Sequence, residues 1–241
     1  MSSRNNKRSD QLGRVKERVM SLQDIHLRKL LKIMYLEGGA RVTALRTDIR
    51  EEIARAQGGG DGGGDFYGPF WRDAKDHVFD VADLRDRTQA RIERLPGRAN
   101  LYNQLQNGFL LWWDERRRWT NEPFVPAASL KNTIRLPSVD ASIKMANILS
   151  VRDGHGEDHF VYPYWFPQPP LNDEMARLAL WALGRAFPNV ASEELRILDI
   201  IRGRTFSLDR SPLQGNEAAI FQRRFDATLA QWRELRREYP D

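Results

Sequence analysis

Apolar and polar positions alternate most clearly between Ser142 and Ser207. Ile143, Met145, Ile148 and Val151 recur at near-alternate positions and predict a strand. It runs into the polar, Gly-spaced turn Arg152-Asp153-Gly154-His155-Gly156-Glu157-Asp158. Residues 159–166 are aromatic and β-branched, the composition of a second strand. Pro167, Pro169 and Pro170 stop it, because proline cannot donate to a ladder. Asn172 or Asp173 supplies the N-cap of a helix whose apolar positions are Met175, Leu178, Ala179, Ala182, Leu183 and Phe187. The run 195–201 predicts a further strand, ending at Arg202-Gly203-Arg204.

Upstream the period is helical. Leu12, Val15, Val19, Leu22, His26, Leu30 and Ile33 form a stripe over 10–37, which Gly38-Gly39 ends. Val42, Leu45, Ile49 and Ile53 begin a second helix, so 10–57 reads as a helical hairpin. Residues 58–65 hold six glycines and no apolar side chain, the composition of a hinge. A third helix is predicted over 66–95, with Tyr67, Phe70, Trp71, Ala74, Val78, Val81, Leu84 and Ile92 on its buried face. A fourth covers 100–119, with Leu101, Leu105, Phe109, Trp112, Trp113 and Trp119. A short strand at 133–136 stops at Pro137. Asn216 caps a last helix with Ile220, Phe221, Phe225, Leu229, Trp232 and Leu235 inside.

The fold class this predicts is α+β. A helical N-terminal part precedes a small mixed sheet in the order helix-strand-strand-strand-helix-strand, closed by a C-terminal helix. The divisions are a disordered basic tail at 1–9, the hairpin at 10–57, the hinge at 58–65, and an α+β domain with two leading helices at 66–241.

The 241 residues carry a formal charge of +5, and arginine outnumbers lysine. The guanidinium fork matches phosphate oxygens, but 33 acidic residues are mixed through the same segments. The absence of cysteine excludes disulfides and thiolate metal sites and fits a reducing cytoplasm. No apolar run approaches the ~18 residues of a membrane span, and residues 1–10 lack the apolar segment of a secretory signal.

From Asn100 onward the element order resembles the core of the PD-(D/E)XK, or restriction-endonuclease-like, nucleases. The resemblance covers residues ~100–241 and places Asp140, in Pro137-Ser138-Val139-Asp140, where the family's strand-leading Asp falls. In that family, this Asp and a second acid hold Mg²⁺, and a Lys two residues beyond the acid assists the attacking water. The corresponding strand here, Val161-Tyr162-Pro163-Tyr164-Trp165, has neither acid nor Lys. The resemblance therefore implies a relative without catalysis.

The function this supports is a non-catalytic, cytoplasmic nucleic-acid-binding protein, or a subunit of a nucleic-acid-handling complex, with no cofactor. Its candidate contacts are Arg116, Arg117 and Arg118, with Trp112 and Trp119 as stacking faces, and Arg223, Arg224, Arg233, Arg236 and Arg237 on the last helix. One alternative is a metal-dependent hydrolase using Asp140 and the acidic turn 153–158. Another is a protein-interaction module, or a homo-oligomer, pairing through the 12–36 stripe.

Overall fold

Residues 21–58, 65–136 and 140–239 are described by the computed structural model. The basic tail, residues 10–20 and most of the Gly-rich stretch lie outside them. The first element is a short strand, β1 (Asp24–His26), which leads into helix α1 (Leu27–Tyr35). This corrects the described part, 21–37, of the helix expected over 10–37. Residues 24–26 pair with Ser142, Ile143 and Lys144, a partner no local period reveals, and His26 is exposed rather than part of a helical stripe. Gly38, at φ +51°, turns the chain into α2 (Gly38–Ala56).

The helix expected over 66–95 is two, α3 (Tyr67–Val78) and α4 (Leu84–Arg94). Asp80 breaks it at φ +54°, and the Asp83 carboxylate accepts from the Arg85 N–H at 2.6 Å to restart it. Val81, in the break, is 69% exposed rather than buried. Helix α5 (Ala99–Leu110) continues as a π-helical stretch, Leu111–Arg116, and the Arg117 N–H bonds the Trp112 carbonyl at 2.8 Å. Trp119 lies beyond the helix.

The strands that follow are β2 (Val125–Pro126), β3 (Asn132–Leu136), β4 (Ala141–Met145), β5 (Leu149–Arg152) and β6 (Asp158–Tyr164). The single strand expected through 143–151 is thus β4 and β5, separated where Asn147 adopts φ +64°. Next come α6 (Asp173–Ala186), β7 (Leu195–Asp199), β8 (Arg204–Phe206) and α7 (Glu217–Arg236). The α6 cap is as the sequence predicts: the Asn172 side chain accepts from the Met175 N–H at 2.8 Å. At α7 the Asn216 side chain makes no cap bond. The Glu217 carboxylate instead accepts from the Gln214 and Gly215 N–H groups.

The fold is α+β with two mixed sheets. One has the order β1-β4-β3 and the other β2-β5-β6-β7-β8. In the larger sheet β6 and β7 are parallel, joined across α6, and the remaining pairs are antiparallel. Pro163 lies beyond the last β5 pair, so a missing N–H interrupts no β5–β6 bond.

The larger sheet separates two apolar clusters. Phe160, Tyr162, Tyr164 and Ile197 belong to the cluster that holds α6, α7, α1 and α2. Val161, Leu198, Leu149 and Val151 belong to the cluster of α3, α5 and the π-helical stretch. The hairpin α1–α2 does not stand apart. Its Leu30, Leu31, Ile33, Leu45 and Ile49 share one core with Phe225 and Leu229 of α7. The Trp232 indole N–H donates to the Asp48 carboxylate at 3.0 Å, and Arg41 donates to the Thr228 hydroxyl at 2.9 Å. Most of the described part of the 12–36 stripe is consequently spent inside this chain. Leu22, Leu30 and Ile33 of the stripe, with Leu27, Leu31 and Met34 beside them, are at most 1% exposed, whereas His26 is exposed.

Helix α5 crosses the β7–β8 turn at close range. A Cβ on Gly108 would stand 2.1 Å from the Ile200 carbonyl oxygen and 2.4 Å from that of Ile201. Gly203, at φ +55°, completes the contact from the other side. Gly108→Ala gains about 1 kcal/mol of helix propensity but forces backbone apart, at a cost of about 1–3 kcal/mol or more. We expect net destabilisation by urea denaturation; a variant as stable as the parent would show that the crossing is not tight.

Candidate nucleic-acid interface

The three consecutive arginines do not fan over a helix, because the helical stretch ends at Arg116. Arg116 is exposed, and its Nη1 donates to the carbonyls of Arg202 at 3.2 Å and Gly203 at 3.4 Å. Arg117 turns inward. Its guanidinium lies 3.9 Å from the Trp113 ring centre and 4.6 Å from that of Phe124, with Glu122 at 3.8 Å. Burial lowers its pKa from the ordinary arginine value. Arg118 is exposed and paired with Asp209 at 2.9 Å.

Trp112 and Trp119 offer no open face for a base. They are 1% and 6% exposed and belong to an edge-to-face aromatic group with Phe109, Trp113 and Phe124. Trp119 also stacks on His159, centroids 4.3 Å apart and planes within 8°. Aromatic spacing in the sequence marks a core here, not a platform.

The arginines of α7 divide in the same way. Arg224 faces inward, donating to Glu174 at 2.5 and 2.9 Å and lying 3.9 Å over the Tyr35 ring. Arg236 donates to the Tyr239 carbonyl at 2.8 Å. Arg223, Arg233 and Arg237 are exposed. At about 100° per residue they span roughly 80° of the helix, a sector that contains Asp226 and borders Glu234. Their positive field is diluted accordingly.

Arg116 instead meets two arginines that sequence reasoning did not select. Arg204 and Arg210 join it around a cavity of about 250 Å³, with Asp173, Thr205 and Ser211 on its other walls. Arg204 pairs with Asp173 at 3.0 Å and rests 4.3 Å over the Phe206 ring. Arg210 is exposed and has no acid partner among the described residues. Three guanidinium groups therefore face one carboxylate. The one local signal is the density of arginine between 202 and 210, which the strand pattern there obscures.

Among the described residues, Asp140 and the acidic turn 153–158 do not come together as the hydrolase alternative requires. Asp140, at φ +45°, is exposed and accepts from Arg135 and Gln23, each at 3.3 Å. It leads β4 in the smaller sheet, whereas Tyr162, Pro163 and Tyr164 lie in the larger one. Among the described residues the one triad of suitable groups is Asp153, Glu157 and His159. There the Asp153 carboxylate is already fully occupied. Oδ1 accepts from the His155 and Glu157 N–H groups, both at 3.0 Å, and Oδ2 faces His159 Nε2 at 3.1 Å and Asn121 at 3.4 Å. These bonds close the β5–β6 turn. Asp158 is likewise spent, held by both ends of the Arg152 fork. The Asp153 and Asp158 carboxylates are thus committed to partners within the chain.

Burial opposes ionisation of Asp153, yet the bonds from His159, the two backbone N–H groups and Asn121 outweigh it and hold its pKa at about 2. A depressed carboxylate pKa contributes stability above the unfolded value of about 3.9, and that stability is lost as pH falls through the folded value. The parent should lose stability between about pH 4 and 2. Asp153→Asn should be less stable at pH 7 by about 1–3 kcal/mol, with a shallower loss across that acid window. Thermal melts of both proteins against pH test this; parallel acid limbs would refute it.

No protein-family model matches the sequence, and a search of curated proteins finds no similar chain, so the arginine-lined cavity stands on its own geometry.

Proposed function

We propose that this protein binds nucleic acid without cleaving it, through phosphate contacts at the arginine-lined cavity. The observation that carries this reading is the convergence of Arg116, Arg204 and Arg210 on one cavity against the single carboxylate of Asp173. A cavity of about 250 Å³ is roomy for one phosphate group and small for a base with its sugar. Arg116 is fixed by two carbonyls and Arg204 by an acid and an aromatic ring, so little side-chain freedom is lost when they meet an anion. Such contacts position a phosphate chain and carry no base information. With no stacking face beside them, binding is insensitive to sequence.

For the rival hydrolase reading, the metal-ligating groups that gather among the described residues are Asp153, Glu157 and His159, in the larger sheet and not with Asp140, and most of the described 12–36 stripe is buried in the chain's own core.

Replacing Arg116, Arg204 and Arg210 together by Gln keeps side-chain length and removes three charges. Each phosphate left without its arginine should reduce the magnitude of the log K against log salt slope by about 0.7–0.9. We expect weakened binding to both single- and double-stranded DNA and, because the three arginines share one phosphate, a slope shallower by about 0.7–0.9. The control is Arg117→Gln, which should lower thermal stability and leave the slope unchanged. A folded triple variant with the parent's affinity and slope would overturn the proposal.

A further inference from the structure

A second cavity, of about 570 Å³, lies where β1, the start of α1, α3 and the end of β6 meet. Its volume is in the range of small-molecule sites. Arg28, His26, Lys144, Asn147, Tyr67 and Trp165 are among its walls. Arg28 is the unusual member. It is 4% exposed, yet its guanidinium has no carboxylate partner among the described residues. Of its five N–H donors one is used, from Nη1 to the Ala146 carbonyl at 3.1 Å. Its other neighbours are aromatic, with the guanidinium 4.2 Å from the Trp165 ring centre and 5.2 Å from that of Tyr162.

Two of the other cations here are neutralised. Lys29 pairs with Asp48 at 2.7 Å and Glu51 at 3.1 Å, and Lys144 pairs with Asp24 at 2.6 Å. A buried charge without a counter-ion is costly, and aromatic faces return only part of that cost. The position of Arg28 is nevertheless fixed, because its backbone N–H donates to the Tyr162 hydroxyl at 3.1 Å. It also stands in the first turn of α1, where His26 occupies the cap position without making a side-chain cap bond. The positive end of that helix adds to the same field. Partial desolvation, and after it the charges of Arg28 and Lys144, lower the His26 pKa, while Asp24 opposes the shift.

We propose that this cavity binds a phosphate monoester of mononucleotide size, its phosphate seated on Arg28. The remaining walls select the rest of the ligand. Asp24, Asp48, Glu51 and Asp65 also line the cavity, so a second anionic group is disfavoured while hydroxyl or amino donors find acceptors. Tyr67 and Phe166, both half-buried, supply aromatic surface on one wall for a planar group, while Trp165 is covered by Tyr67 and Arg28. A nucleoside monophosphate has all three features. The phosphate can belong to a free nucleotide or to the 5′ end of a strand.

The test is calorimetric titration of the full chain with adenosine 5′-monophosphate, adenosine, inorganic phosphate and a 5′-phosphorylated oligonucleotide beside its unphosphorylated twin. We expect saturable binding of the monophosphate, competition by inorganic phosphate, and no binding of adenosine. Arg28→Met, which keeps the stem over Trp165, should weaken binding about tenfold or more. Without ligand it should melt no lower than the parent, because it removes an uncompensated charge. Lys144→Gln, at the exposed rim, provides a milder variant that weakens binding and stays folded should Arg28→Met fail to fold. Preference for the phosphorylated oligonucleotide over the monophosphate would assign the site to strand ends; the reverse would assign it to free nucleotides. No saturable binding of any phosphate probe, binding that adenosine reproduces, or parental affinity in a folded Arg28→Met protein would overturn the proposal.

Discussion

Strand β6 must satisfy two apolar cores at once, and most of the architecture follows from that demand. Its side chains alternate across the sheet, with Phe160, Tyr162 and Tyr164 entering one cluster and Val161 the other. A strand buried on both faces reads as a continuous apolar run rather than as an alternation. Each face then requires a cover of helices. The sequence contains two sets, α1, α2, α6 and α7 for one face and α3–α5 for the other. A one-residue slip in register would send the three large aromatic side chains to the wrong layer. The parallel pairing with β7 and the antiparallel pairing with β5 guard against it from both sides.

The same strand sets where charge can be placed. Tyr162 buries its ring under the hairpin and uses its hydroxyl to accept the Arg28 N–H, so the first turn of α1 is tied to the centre of the sheet. At the ends of β6 and β7 the chain leaves the sheet over Asp199, which is fully buried. Burial raises its pKa, but its carboxylate accepts from the Leu171 N–H and from Arg202. The following turn passes Gly108 at backbone distance, and Arg116 seals it by donating to the carbonyls of Arg202 and Gly203. The arginine-lined cavity is built on that seal. A change at Gly108, about two helical turns from Arg116, therefore acts on the interface through backbone position rather than through charge.

Local pattern makes some of this legible. Strand β6, helix α6 with its Asn172 cap, and strand β7 follow from spacing and stop signals that lie within the elements themselves. The π-helical stretch, the split of 66–95 and the pairing of β1 with β4 do not. Asp80 and Asn147 take left-handed backbone conformations that polar composition allows but does not require. The pairing of β1 depends on a strand from the far side of the helical segment, and three residues carry too little pattern to announce it. The candidate interface is legible only in part. Arg116 stands out because it sits in a basic run; Arg204 and Arg210 are hidden in a strand end and a loop.

The reason is that a guanidinium acts on a ligand only through the donors the fold leaves free, and which donors stay free is a tertiary fact. Arg117 and Arg224 are sequence neighbours of exposed arginines, yet each is turned onto aromatic rings and an acid of its own chain. Arg28 lies in an apolar stretch that draws no attention to its charge, yet it is the cation that burial leaves without a counter-ion among the described residues. Surface ion pairs such as Arg118 with Asp209 hold ~0–1 kcal/mol and yield readily to a competing anion. Buried pairs such as Lys29 with Asp48, whose carboxylate also takes the Trp232 indole, do not yield without uncovering a second charge. Net charge therefore predicts little about where an anion settles in this molecule. What decides it is which guanidinium groups keep donors free after the two cores and their helices have closed.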